Sequence, residues 1–311
     1  MEFINLVFIA PFVDMATYPV FFTEVVIAGL LTGIMYSLVA LGFVLIFKAS
    51  GVFNFAQGAM VLFAALTLVG LMEHGVPVWA ALLLSVVVMI ILAFMIERFM
   101  LRHLINQDGI ILFMATIGLT FLLQGSGEMM WGSNVKPLDI GIPNESFEIG
   151  GVLLNEFDLF AAASGAVLVT VLAVFFHYTR IGRALRAVAD DHQAAMAVGI
   201  PLKTIWVIVW SVAGFVGLVA GIMWGAKSGV QFSLSLIALK ALPVLILGGF
   251  TSVPGAIVGG LIIGVGEKVA EIYWGPLVGG AIENWFAYML ALAFLVFRPQ
   301  GLFGERIIER V

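Results

Sequence analysis

The sequence predicts an all-α polytopic membrane protein with about eight membrane segments, in a range of about seven to nine. Two observations carry this expectation. Of 311 residues, 62% are hydrophobic and only 11% charged, whereas a soluble domain carries roughly 25% charged residues. The charges also lie far apart, leaving charge-free windows at 25–47, 49–72, 75–96, 109–127, 159–176, 204–226, 241–266 and 284–297. A spanning helix needs about 20 apolar residues, and six of these windows fit one helix each. The 241–266 window is long and broken by GGFTSVPG at 248–255, and 284–297 is short unless it borrows from 278–283. Interrupted or re-entrant helices are therefore expected near the C-terminal end.

Residues 1–311 read as a single transmembrane domain, without a low-complexity tract or an appended soluble domain. The N-terminal MEFINLVFIAPFVD has no Lys or Arg, unlike the basic region of a cleaved signal peptide, and residues 3–13 suit a short interfacial helix. Cysteine is absent, which excludes disulfides and thiol chemistry.

Basic residues set the orientation, because cytoplasmic loops are enriched in Lys and Arg. Placing Arg180, Arg183, Arg186 and Lys203 inside also puts Lys48, Arg98, Arg102, Arg298, Arg306 and Arg310 inside by alternation. Lys136, Lys227 and Lys268 fall outside, together with the acids Glu128, Asp139, Glu145, Glu148, Glu156 and Asp158. The N-terminus is thus expected outside and the C-terminus in the cytoplasm. The outer loop 125–156 carries Gly132, Pro137, Gly141, Pro143 and Asn144 as turn punctuation, with room for a hairpin around 140–153. It is either a solvated connector or a docking surface for an external protein.

Three segments could carry chemistry, two of them with polar groups at membrane depth. In KASGVFNFAQG, 48–58, Asn54 and Gln57 offer amides that either line a pathway or stitch two helices together. In LKALPVLILGGFTSVPG, 239–255, Pro243, Gly248, Gly249 and Pro254 interrupt the helical pattern, so Thr251, Ser252 and freed backbone groups could face a solute. Lys240 either snorkels to the outer interface or serves as counter-charge to a carboxylate. A short echo links FNFAQGAMV at 53–61 to FTSVPGAIV at 250–258, a pattern that internal repeats of transporters would leave. The small-residue runs at 214–221, 255–260 and 264–266 favour close helix contact.

The third segment is GRALRAVADDHQAAMAVGIP, within a polar loop over 180–203. From 183 to 198 it fits one helix, with Leu185, Val188, Ala189, His192 and Met196 on one face and Arg183, Arg186, Asp190 and Gln193 on the other. Gly199 and Pro201 end it. Its two arginines crowd the N-terminal end, against the helix dipole. Neither an HExxH-type metal set nor a GxxxxGK[ST] phosphate loop is present, so ATP hydrolysis is not expected of this chain.

QAAMAVG at 193–199 resembles the EAAxxxG coupling loop of ABC importer permeases, with Gln193 for the leading Glu. More specifically, GLLTGIMYSLVALGFVLIFKASGVFNFAQG (29–58), GRALRAVADDHQAAMAVGI (182–200), LKALPVLILGGFTSVPGAIVGG (239–260) and FRPQGLFG (297–304) resemble the branched-chain amino acid class of these permeases. Ala59 departs from that pattern, since many relatives carry Glu after FAQG. The resemblance implies a type II-like importer fold in a bacterial inner membrane. It implies a second homologous permease, two cytoplasmic ATPases that hold ATP and Mg, and a periplasmic or lipid-anchored solute-binding protein. The chain itself would be a non-enzymatic subunit without a bound cofactor, surrounded by membrane lipid and with no nucleic acid partner. Arg183, Arg186, Asp190, Asp191, Gln193, Ala194, Ala195 and Gly199 would couple to an ATPase, and Asn54, Gln57, Lys240, Gly248, Gly249, Thr251 and Ser252 are the expected pathway residues. The cargo so implied is branched-chain or hydrophobic amino acids, with urea, amides or small organic acids as the alternative. Outside the family, an ion-coupled secondary transporter or a passive channel is the rival; the former would need a carboxylate inside the membrane.

Overall fold

The computed structural model describes residues 5, 7–104, 107–190 and 192–304, the side chains of residues 192 and 193 excepted. Helices dominate: α1 (Ala10–Thr17), α2 (Pro19–Ser50), α3 (Gln57–Glu73), α4 (Val78–Phe99), α5 (Gly109–Trp131), α6 (Glu156–Tyr178), α7 (Arg180–Asp190), α8 (His192–Ala197), α9 (Leu202–Ser228), α10 (Ile237–Gly248), α11 (Val253–Tyr273), α12 (Gly275–Val278) and α13 (Phe286–Phe297). Among the described residues six helices are long and apolar enough to cross a membrane, namely α2, α4, α5, α6, α9 and α11. Three shorter apolar helices, α3, 232–248 and α13, bring the total to the top of the expected range.

The differences from the sequence windows have local causes. The 49–72 window gives a helix only from Gln57, because Gly51 turns the chain at φ 66° and 51–56 stays non-helical. The 241–266 window is not one broken span. It is two helices, α10 and α11, joined by a tight turn at 249–252 in which Gly249 takes φ 104°. They pack closely beyond that turn, as a Cβ on Gly259 would meet the Val244 carbonyl at 2.6 Å. Pro243 sits inside α10 without ending it. The first described helix with full bounds is α1, so the helix expected over 3–13 extends further along the chain than its sequence suggested. Of that expectation, residues 3, 4 and 6 lie outside the described residues, as do Arg306 and Arg310.

The chain packs as two compact units. One comprises 38–140 and 167–239. Its centre is α3, buried from Gln57 through Gly70 on every face, as suits a helix apolar all round. Helices α4, α5 and α9 surround it. Close approach depends on glycines of α9: a Cβ on Gly221 would stand 2.7 Å from the Val61 carbonyl oxygen.

The other unit comprises 1–37, 141–166 and 240–311. Here the first part of α2 crosses α11 through paired small residues, Gly29 and Gly33 against Gly260 and Gly264. A Cβ on Gly33 would lie 2.5 Å from the Gly260 carbonyl oxygen, and one on Gly29 would lie 2.7 Å from the Val265 Cα. This is the small-xxx-small contact that lets membrane helices touch backbone to backbone. Ser37 closes the crossing by donating to the carbonyls of Gly33 (2.8 Å) and Ala256 (3.2 Å). A two-stranded antiparallel hairpin, β1 (Ser146–Ile149) and β2 (Val152–Asn155), turns at Gly150 and Gly151. It fulfils the hairpin expected in the 125–156 loop, shifted a few residues along, and Glu24 of α2 accepts from the Leu153 amide at 3.3 Å.

Candidate functional site

The polar segment after α6 is helical over Arg180–Asp190 (α7) and His192–Ala197 (α8), with residue 191 outside the described residues. Thr179 caps α7: its hydroxyl accepts from the Gly182 amide at 3.1 Å while donating to the Phe175 carbonyl. Gly182 is buried so tightly against the last turn of α6 that a Cβ would fall on the Phe176 carbonyl. Arg186 folds back onto the same turn. Its guanidinium donates to the carbonyl oxygens of Phe176 (2.6 Å) and His177 (3.3 Å).

That contact resolves the reversed charge order of α7. Arg186 serves the C-terminal end of α6, where free carbonyls and the negative end of the dipole favour a cation. Its side chain is therefore partly buried on the anchored side, not on an outward polar face as the helical pattern suggested. Arg183 and Asp190 are exposed, in line with that pattern.

At the far end the apolar face also differs from expectation. Leu185, Val188 and Ala195 are buried, whereas Met196 is 48% exposed and Val198 76% exposed. The buried position of α8 is thus Ala195 and not Met196. Gly199 ends α8 at φ 85°, with its amide on the Met196 carbonyl and that of Ile200 on Ala195, a left-handed helix stop. Ala194 and Gly199 are exposed. Asp191 and the side chain of Gln193 lie outside the described residues. The outcome is an apolar and polar tip held rigidly on the end of a long helix.

Asn54 and Gln57 are fully buried, each 0% exposed. Asn54 donates to the Gln57 side-chain oxygen at 3.3 Å and caps the following turn by accepting from the Ala56 amide at 3.1 Å. Gln57 reaches the Ala213 carbonyl at 3.5 Å. The two amides thus satisfy each other and the adjoining backbone, with one contact running to α9. Ala59 is buried one position beyond Gly58.

The glycine-rich turn has a different partner from the one expected. Gly248 and Gly249 are buried, and the C-terminal segment closes over them: the Leu302 amide donates to Leu247 (2.8 Å) and the Phe303 amide to Gly248 (3.1 Å). Two separate motifs, LGGFTSVPG and FRPQGLFG, thus form one backbone-bonded element. Ser252 is the N-cap of α11, accepting from the Gly255 amide at 3.0 Å. Thr251 is half-buried beside it. The carbonyls freed at the end of α10 are taken by the chain itself.

Of the two readings of Lys240, the structure has the counter-charge to a carboxylate. The side chain does not run free to a membrane surface; its ammonium lies 3.3 Å from Glu267 and 3.6 Å from Glu283, while Lys268 faces Glu283 at 3.6 Å. Glu267 is inside α11, its side chain 3% exposed, and also receives the Tyr36 hydroxyl. Sequence reasoning passed over this residue because it borders a charge-free window. A second buried acid, Glu97 of α4, pairs with Arg102 at 3.0 Å. Two carboxylates, Glu97 and Glu267, are thus buried among the described residues, and both are ion-paired.

The description "branched-chain amino acid transport system / permease component" belongs to the family model that matches residues 25–298. The chain belongs to this family. This permease is 28% identical to the high-affinity branched-chain amino acid transport system permease protein BraD of Pseudomonas aeruginosa, over 93% of its own length and 98% of that protein's. It is 27% identical to LivH, the corresponding protein of Escherichia coli strain K12, over 94% and 98% of the two chains. A more distant relative is the fructose import permease protein FruG of Bifidobacterium longum, 24% identical over 80% of this chain and 74% of that one. The fold matches a solved structure, PsaBC from Streptococcus pneumoniae in complex with Fab, with a TM-score of 0.50, 14% identity, and coverage of 87% and 89%. This permease is thus a multi-pass, all-α membrane transport subunit, and the family resemblance read from its motifs holds.

Proposed function

We propose that this permease is the membrane subunit of an ATP-driven importer for branched-chain or related hydrophobic amino acids. It would work beside a second, homologous permease, with two cytoplasmic ATPases below and a solute-binding protein above. The N-terminus lies outside and the C-terminus in the cytoplasm of a bacterial cell, as the distribution of Lys and Arg indicates.

The observation that carries this reading is the mounting of α7 and α8. A helix pair that only bridged two spans would need no such anchoring. Here Thr179, Gly182 and Arg186 weld α7 to α6, while Met196 and Val198 stay uncovered at the tip. Push on the tip is then transmitted to the end of a 23-residue helix rather than absorbed in a loop. An exposed apolar tip on a rigid lever suits a groove on a moving partner, and ATP-driven closure of the ATPases would tilt it. Ala194 and Gly199 flank that tip, and with the exposed Arg183 and Asp190 further back along the segment they form the proposed contact.

A second cargo class has one observation in its favour. Ala59 replaces an acid common after FAQG and is buried in α3, so the polar character of that position differs from much of the family. Urea, amides or small organic acids remain the alternative cargo on that ground.

The chain contains no cysteine, so a single Cys introduced at 196 or 198 is unique. Crosslinking from either position to a co-purified ATPase, and ATP-dependent leucine uptake only by the assembled complex in vesicles, is the expected result. Solute accumulation by the chain alone under a proton or sodium gradient would sink the reading.

A further inference from the structure

Two cavities adjoin in the unit that contains α1, α11 and α13, and Leu277 lines both. The first, about 430 Å³, takes its polar groups from Asp14, Tyr18 and Tyr273, and no Lys or Arg among the described residues lines it. The second, about 450 Å³, is lined by Trp274, Trp285, Phe286 and Met289 among others, with no charged side chain among the described residues. Helix α1 is tied down beside them: the Trp274 indole donates to the Val7 carbonyl at 3.0 Å, and Phe12 packs edge-on to Trp274 at 5.8 Å.

Three features point to one kind of occupant. The Tyr273 hydroxyl is buried yet lacks a hydrogen-bond partner among the described residues, an arrangement that a buried donor rarely keeps. Asp14 is exposed at the first cavity, and among the described residues it is the one charged group there. The cavities lie at the end of a membrane helix, where Trp and Tyr rings occupy the boundary between headgroups and acyl chains. Phe12, Val13, Phe21, Val278 and Trp285 form an exposed apolar rim, which in a bilayer faces lipid.

We propose that the paired cavities bind one aminophospholipid of the phosphatidylethanolamine class. Its ammonium sits against Asp14, its phosphate accepts from the Tyr273 hydroxyl, and one acyl chain lies along Trp274, Trp285 and Met289. A cation is required by the sign of the polar cavity, and a long apolar tail by the second cavity beside it. An anionic headgroup such as phosphatidylglycerol would place a net negative charge beside Asp14 without a basic residue to offset it. This site is independent of the cargo and of the coupling segment.

The test is native mass spectrometry of the full chain in detergent, given phosphatidylethanolamine or phosphatidylglycerol with identical acyl chains. We expect about threefold more retention of the former, the scale of a partly exposed ion pair. Asp14→Asn should equalise the two lipids while leaving total lipid binding in place. Tyr273→Phe should weaken retention of both, since it removes the donor to phosphate. Equal retention of both lipids by the unaltered chain, or an unchanged preference in Asp14→Asn, overturns the proposal. So does crosslinking of Asp14→Cys to the second permease in a complex that has lost all lipid, which would make a protein the occupant.

Discussion

Replacing Lys240 by Met separates a structural ion pair from a spare surface charge. In the folded chain Glu267 keeps 3% of its side chain exposed and faces Lys240 at 3.3 Å, with Tyr36 as its other partner. Removing one member of a buried pair leaves a charge without compensation and typically costs about 3–5 kcal/mol. Lys240 is 28% exposed and Tyr36 would remain, so a loss of about 2 kcal/mol is expected. Glu267→Gln should cost less, about 1 kcal/mol, because the amide still accepts from Tyr36 and Lys240 keeps Glu283 at 3.6 Å. The double variant Lys240→Met with Glu267→Gln should recover most of the loss seen with Lys240→Met alone, which is the signature of direct coupling. Thermal unfolding in detergent, read by tryptophan fluorescence, measures all three. Wild-type stability in both single variants, or simple addition in the double, refutes the pairing argument. Leucine uptake by the reconstituted complex adds a second readout: a stable double variant without transport would place the pair on the solute pathway as well.

Other perturbations follow from the same geometry. Gly182→Ala puts a methyl group on the Phe176 carbonyl and should cost about 1–3 kcal/mol by overpacking, with ATP hydrolysis in the complex uncoupled from uptake; intact coupling would refute the welded lever. Arg186→Ala should lower the melting temperature by removing donors at 2.6 and 3.3 Å, whereas exposed Arg183→Ala should leave it unchanged. Gly264→Val drives a side chain into Gly29 and Gly33 and should abolish the α2–α11 crossing, seen as loss of a disulfide between Cys introduced at 30 and 261. Ser252→Ala removes the cap at 3.0 Å and should destabilise by about 1 kcal/mol, measured in the same unfolding experiment.

Much of this fold could be read from local pattern. The spacing of charges located the long helices, the turn residues of 125–156 announced a hairpin, and Gly199 marked a helix stop that the backbone adopts at φ 85°. What escaped was long-range. Lys240 and Glu267 lie 27 residues apart, and no window of either shows that they meet. Arg186 looked misplaced because the dipole of its own helix was considered, while the carbonyls it serves belong to the preceding one. Counting apolar residues also cannot tell one interrupted span from two helices folded back on each other; Gly248 and Gly259 decided that by permitting contact closer than any side chain allows. Ala195 is buried where the apolar pattern favoured its neighbour Met196, because hydrophobicity ranks the larger side chain first while packing against the bundle has room for the smaller.

The hydrogen bonds from Leu302 and Phe303 to the end of α10 also have a consequence in time. Leu247 is made well before Leu302, and at about 5–20 residues per second its carbonyl waits several seconds for its partner. Throughout that interval the end of α10 needs another donor, and a lipid chain offers none. Water at the turn can stand in until Leu302 and Phe303 emerge, after which the later segment latches over the end of α10.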